Sequence, residues 1–211
     1  MLLFRYQILR SAARLLCVFM LASLTGLARA DALAVPDGRY VLDDTHAYIT
    51  FSYSHLGFST PHLGFREFSV EVELDADAPT NSTLNVGIAT DSIDSRVDKF
   101  DEILKGPDFF NVSEHPDIRF VASGIAMTGA NKADIAGTLT IKGISQPVTL
   151  DARIDRAAQH PMLKKPVLGV SAFTEISRSA FKLGKYAPAV GDTVSVYISA
   201  ELVHQGEAAQ E

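Results

Sequence analysis

The chain has 211 residues, with 19 basic and 25 acidic side chains, a formal charge of −6 and a single cysteine. An acidic balance argues against nucleic acid or an anionic lipid surface as partner, since both are polyanions. One cysteine cannot form an intramolecular disulfide or a multi-thiolate metal centre, so the fold must rest on a hydrophobic core, which a chain of this length can build unaided.

Residues 1–30 read as a secretory signal. Arg5, Arg10 and Arg14 form a positive start, Leu15 to Leu27 an apolar run too short to span a bilayer, and Ala28-Arg29-Ala30 a small-x-small cleavage site. Cleavage after Ala30 leaves residues 31–211 as one exported domain; an uncleaved anchor is the competing reading. Cys17 leaves with the leader, so the exported chain has no thiol nucleophile, thiolate ligand or covalent haem link. Four arginines leave too, giving 15 basic against 25 acidic residues and a charge of −10.

From Tyr40 onward the dominant period is two, which predicts strands with one wet and one buried face. Ile49, Phe51 and Tyr53 form the first inward set. A loop over 55–65 (HLGFSTPHLGF) follows, with Leu56, Phe58, Leu63 and Phe65 where polar residues would be usual, which suits the mouth of a cavity. Phe68, Val70, Val72 and Leu74 then alternate with Ser69, Glu71 and Glu73, and Leu84, Val86 and Ile88 make a third strand.

The pattern changes at Ser95. The S-x-x-D spacing of Ser95 and Asp98 predicts a helix start, Val97, Phe100, Ile103 and Leu104 an apolar stripe, and Gly106-Pro107 a left-handed stop after about three turns. With Phe109 and Phe110 behind it, this helix is read either as a lid over one end of a sheet structure or as an ordinary crossover.

Strand patterning then resumes with Ile118, Phe120 and Ala122, and with Ile135, Gly137, Leu139 and Ile141. After a connection over 142–147 come Val148, Leu150, Ala152 and Ile154, then Val170, Ala172, Thr174 and Ile176, and finally Val194, Val196, Ile198, Ala200 and Leu202. About eight alternating strands joined mainly by turns predict an antiparallel meander, and closure into a barrel would remove its two edges. Eight strands enclose an interior that is either filled by side chains or holds one small ligand. Small inward residues such as Gly137, Ala152 and Ala200 leave room for a ligand, although they also occur to fit a barrel's taper.

Catalytic signals are absent from the sequence. The six histidines show no H-x-H or H-E-x-x-H spacing, no G-x-S-x-G elbow occurs, and Gly143 and Gly184 stand outside any phosphate loop. Metal ligation by His55 and His62 is the weaker reading against mouth-lining histidines. Arg178 suits a strand-end salt bridge better than an acidic ligand group.

Several motifs in order carry a resemblance: Tyr40-Val41-Leu42-Asp43 with His46, Ser54-His55-Leu56-Gly57 leading to Gly64-Phe65, Asp91-Ser92-Ile93-Asp94, Asp108-Phe109-Phe110, His115-Pro116, residues 137–143 (GTLTIKG) before Pro147-Val148, and Ile176-Ser177-Arg178. On these the chain resembles the YceI family of lipid- or polyisoprenoid-binding periplasmic proteins. It departs from that family at Tyr40, where Trp is frequent, at His115, where Tyr is common, and at Ser179-Ala180-Phe181, where Asp-Phe-Gly is frequent. The resemblance implies an all-β, eight-stranded antiparallel lipocalin-like barrel with one short capping helix, located in the periplasm, whose tunnel takes a long isoprenoid or similar amphiphile.

The joint expectation is a carrier without chemistry, catalytic residue, metal or cofactor. Its lipid-binding wall would comprise Ile49, Phe51, Tyr53, Phe68, Val70, Val86, Phe100, Leu104, Phe120, Leu139, Ile141, Leu150, Val170, Val196 and Ile198. The partner would be an isoprenoid or other long-chain lipid, with no nucleic acid and no stable membrane insertion; a homodimer is left open. Two alternatives stand beside it. One is a filled structural or stress-response barrel that binds a protein through the apolar loop, and the other a quinone-linked redox accessory using His55 or His62 for protons.

Overall fold

A computed structural model describes residues 33–206. The expected leader, its cleavage after Ala30 and Cys17 lie outside the described residues.

The chain folds as β1 (Gly38–Ser52), β2 (His62–Phe65), β3 (Phe68–Leu74), β4 (Thr83–Ala89), β5 (Ile93–Asp94), α1 (Asp98–Lys105), β6 (Asp117–Met127), β7 (Lys132–Ile141), β8 (Ile144–Gln159), β9 (Pro166–Ser177) and β10 (Thr193–His204). All pairings are antiparallel. β10 returns to β1, with Tyr40 opposite His204 and Ser52 opposite Ser195, and the sheet closes into a barrel.

The eight expected strands are all present, two of them broken. β2 and β3 both lie along β1, separated only by Arg66 and Glu67, and β5 continues β4 beyond a short 3-10 turn at Thr90–Ser92. The last four residues of the expected 55–65 loop are therefore strand. Leu63 is buried while His62 is exposed, and Gly64 packs so tightly that a Cβ there would sit 2.9 Å from the Ile49 carbonyl oxygen. The 142–147 connection likewise tightens to Lys142-Gly143, whose φ values of 53° and 70° give the doubly left-handed turn that joins twisted strands. Pro147 lies within β8, opposite Thr138.

The helix is shorter than its spacing predicts, eight residues instead of three turns. Asp94 Oδ1 accepts the Arg96 N–H at 2.8 Å, and Asp101 Oδ1 accepts the Ser95 N–H at 2.7 Å. This local turn puts Arg96 at φ 64° and competes with helix, so α1 starts after Val97, which caps without a side-chain hydrogen bond and is 55% exposed. Gly106 ends the helix in extended, not left-handed, conformation at φ −71°.

Two buried clusters stack inside the barrel. The lower one centres on Tyr40, Val70, Leu74, Leu168, Ala200 and Leu202. The upper one joins Leu63, Ile93, Leu104, Phe110, Ile118, Ile141, Phe181 and Leu183. Tyr40 is fully buried and donates its hydroxyl to the Pro36 carbonyl at 2.7 Å; burial and the nearby Asp37 push its pKa up to about 12. Between the clusters, Phe120 is 6% exposed and its ring occupies the notch at Gly137, where a Cβ would stand 2.4 Å from the ring and 2.6 Å from the Val121 carbonyl oxygen. Gly137→Ala should therefore cost about 1–3 kcal/mol by overpacking, read as a lower denaturation midpoint; an unchanged midpoint would mean that ring and wall repack freely.

Candidate functional site

The barrel is hollow, and its hollow is divided. An upper cavity of about 360 Å³ and a lower one of about 150 Å³ share, among the described residues, a single lining residue, Ile49. Period-two alternation places one face of every strand inside, and these faces are apolar without filling the space.

The upper cavity is walled by Phe51, Tyr53, Leu63, Phe65, Ile88, Ile118, Leu139, Ile141, Ile176, Val194 and Val196 from the strands. Phe100, Ile103, Leu104, Phe109 and Phe110 close over it from α1 and the segment behind. The helix is thus a lid over one barrel end, as the first of the two readings of it expected. Aromatic rings stack along this wall, with Phe51 and Phe65 centroids 5.6 Å apart and Phe65 edge-on to Phe110 at 5.9 Å. The lower cavity is lined by Val70, Val72, Val86, Ile135, Leu150, Val170 and Ile198 among others.

Of the expected wall residues, Ile49, Phe51, Tyr53, Phe100, Leu104, Leu139, Ile141 and Val196 line the upper cavity, and Val70, Val86, Leu150, Val170 and Ile198 the lower. Phe68 and Phe120 line neither. Phe68 packs against the lower cluster, and Phe120 lies in its Gly137 notch between cavities. The expected single tunnel is accordingly two chambers. Leu63 and Phe65 line the upper one as well, their alternation having been masked by the reading of 55–65 as a loop.

Polarity concentrates at the upper mouth, where His55, Arg178, Lys185 and Tyr186 join the lining. Arg178 is 8% exposed and, among the described residues, forms no strand-end salt bridge. Its Nε donates to the Gly191 carbonyl at 2.8 Å, Nη2 to Val190 at 2.7 Å, and Nη1 to Lys185 at 3.0 Å and also to Leu183. The guanidinium thus ties down the 183–191 segment that rims the cavity. Asp192 completes the knot by accepting from the Ser179 N–H at 2.9 Å, from Ser179 Oγ at 2.8 Å and from Ser177 Oγ. These bonds, helped by the Arg178 charge, hold its carboxyl below the usual carboxylate range. Tyr53 is shifted upward, mainly by burial.

The 55–61 loop sits on the same rim. Gly191 N–H donates to the Ser54 carbonyl at 2.7 Å and His55 N–H to Ser59 at 2.8 Å, which leaves Phe58 92% exposed at the tip. His62 is exposed on β2 and lines neither cavity, so it is not gathered with His55. Away from the lumen, Asp43, His46 and Glu201 approach one another on the outer bulge of β1. Asp43 accepts from Thr45 Oγ1 at 2.6 Å and pairs with His46 Nδ1 at 3.0 Å; these bonds hold Asp43 at about 2 and raise His46.

A closed antiparallel barrel with an apolar, lidded interior defines the lipocalin-like class of binding barrels. A profile of the YceI-like domain matches residues 40–202, and the chain belongs to that family. A UPF0312 protein of Azotobacter vinelandii is 32% identical over 168 residues, 79% of this chain and 87% of that one. The Campylobacter jejuni YCEI protein superposes with a TM-score of 0.66 at 27% identity, covering 72% of this chain and 90% of that one. A polyisoprenoid binding domain from Saccharophagus degradans, implicated in plant cell wall breakdown, shares the fold with a TM-score of 0.59 at 10% identity, over 80% and 99% of the two chains.

Because the Asp192 pKa is depressed on folding, its contribution to stability is present at neutral pH and is lost as pH falls below about 4 and through the depressed native value. Asp192→Asn should lower the pH 7 melting temperature and flatten the fall in stability below about pH 4. Parallel acid profiles for the two proteins would contradict this account of the rim.

Proposed function

We propose that this protein binds one long apolar chain of isoprenoid type inside the barrel, without altering it chemically, after export to the periplasm. The observation that carries the reading is the upper cavity of about 360 Å³, apolar along its walls and under its lid, with its polar groups gathered at the mouth. Its size falls at the lower end of ordinary ligand sites. An amphiphile would place its tail among Ile49, Phe51, Leu139 and Val196 and its head near Tyr53, His55 and Arg178. Each buried methylene contributes roughly 0.8 kcal/mol, so about ten of them can offset the cost of ordering ligand and lid. Membership of the YceI-like family and the likeness to a domain described as polyisoprenoid binding support this ligand class. The leader-like residues 1–30 support export.

Binding without chemistry fits a lining in which His55, Arg178 and Lys185 stand at the rim and the walls that would hold the chain are apolar apart from the Tyr53 hydroxyl. The exposed Phe58 favours a second role for the 55–61 loop, contact with a protein partner. Phe58→Asp would then abolish partner binding and leave the lipid content unaltered, whereas joint loss of both would tie the loop to lipid loading alone.

Organic extraction of the purified protein followed by mass spectrometry should release a long-chain lipid in near-stoichiometric amount. Leu139→Trp, which fills the upper cavity, should reduce the bound lipid by at least about tenfold. Failure to find any chain-like ligand, either as purified or after incubation with isoprenols, would refute the proposal.

A further inference from the structure

We propose that Phe120 and Ile49 form a waist that makes ligand length the property this barrel selects. The inference rests on the lipid-binding reading of the lumen. Ile49 is the one residue common to both cavities, and it is 4% exposed. On β6, Phe120 stands at the same boundary. One cross-strand partner, Leu139, lines the upper cavity, and the other, Val86, lines the lower.

The Phe120 ring lies over Gly137 of β7. In the closed order β1-β3-β4-β6-β7-β8-β9-β10, β7 is diametrically opposite β1, the strand that carries Ile49. The two side chains therefore narrow the lumen from opposite walls. With no Cβ at Gly137, the ring lies over the β7 backbone on the inner side of the wall, at the level where the upper chamber ends.

The polar groups at the upper mouth set the direction of entry, head at the rim and tail toward the waist. A tail that fits the upper chamber is buried whole. A longer one must either leave methylenes or its head in water at the mouth, or displace a ring that is 6% exposed. Either way its extra carbons contribute little, so affinity stops rising with length.

Farnesol and geranylfarnesol serve as short and long probes, with binding to the delipidated full chain measured by native mass spectrometry and by competition with a fluorescent fatty acid. Wild type should favour farnesol by at least about tenfold over the affinity ratio that added methylenes alone would produce. Phe120→Ala should join the chambers and raise geranylfarnesol affinity by at least about tenfold while farnesol shifts by less than about threefold. Ile49→Ala, on the opposite wall, should shift the same ratio, and a melting curve for each variant shows that the barrel still folds. Affinity that climbs steadily with length in wild type, or a ratio unchanged in the folded variants, overturns the waist and leaves the lipid reading standing. Absence of isoprenol binding by any of the proteins overturns both.

Discussion

Everything in this molecule depends on β1 being paired on both sides. Its start, Gly38–Val41, pairs with β3, its end, Ile49–Ser52, with β2, and its opposite side with β10 from Tyr40 to Ser52 around an irregularity between Leu42 and Ala47. Closure satisfies the backbone amides that an open eight-stranded sheet would leave at two edges, and it turns eight one-sided strands into a vessel. Once the ring is closed, the volume inside is set by circumference and strand tilt, and the inward side chains either fill it or do not. Here they do not, because inward positions hold Ala152, Ala172 and Ala200 beside the larger aliphatics.

An empty apolar interior needs its ends managed, and the two ends are treated differently. Tyr40 and its neighbours pack the lower end tightly. The upper end is covered by α1 and the double phenylalanine, while Arg178 and Asp192 anchor the rim through backbone carbonyls and serine hydroxyls. A buried cation held by carbonyl dipoles is costly to desolvate but rigid once satisfied. The rim is thus fixed through main-chain acceptors, and the lid packs on it through apolar contacts and the Lys185–Asp108 ion pair.

Much of this was legible in the sequence because each strand has a solvent face: Ser69, Glu71 and Glu73 between Phe68, Val70 and Leu74 leave little choice of orientation. Breaks in that pattern were harder to see. A left-handed Lys142 has no glycine to announce it, and the Asp94 turn that delays α1 uses residues that equally suit a helix start. The role of Arg178 was hidden because its acceptors are main-chain carbonyls from 183–191, which carry no side-chain signature. The division of the lumen was hidden for a related reason. Phe120 faces inward by alternation, but whether its ring spans the hollow or sinks into the wall depends on Gly137, its neighbour on β7 only after the strands have paired.

The central claim is that the interior is dry, apolar and unfilled on both sides of Ile49 and Phe120. A crystal of the delipidated protein under xenon pressure tests it most directly, since xenon enters apolar voids and leaves packed or hydrated ones unoccupied. Xenon should appear in the upper chamber beside Phe51 and Leu139 and, separately, in the lower chamber beside Leu150 and Val170. A barrel interior closed by side chains, or ordered water in place of xenon at both positions, would contradict the account.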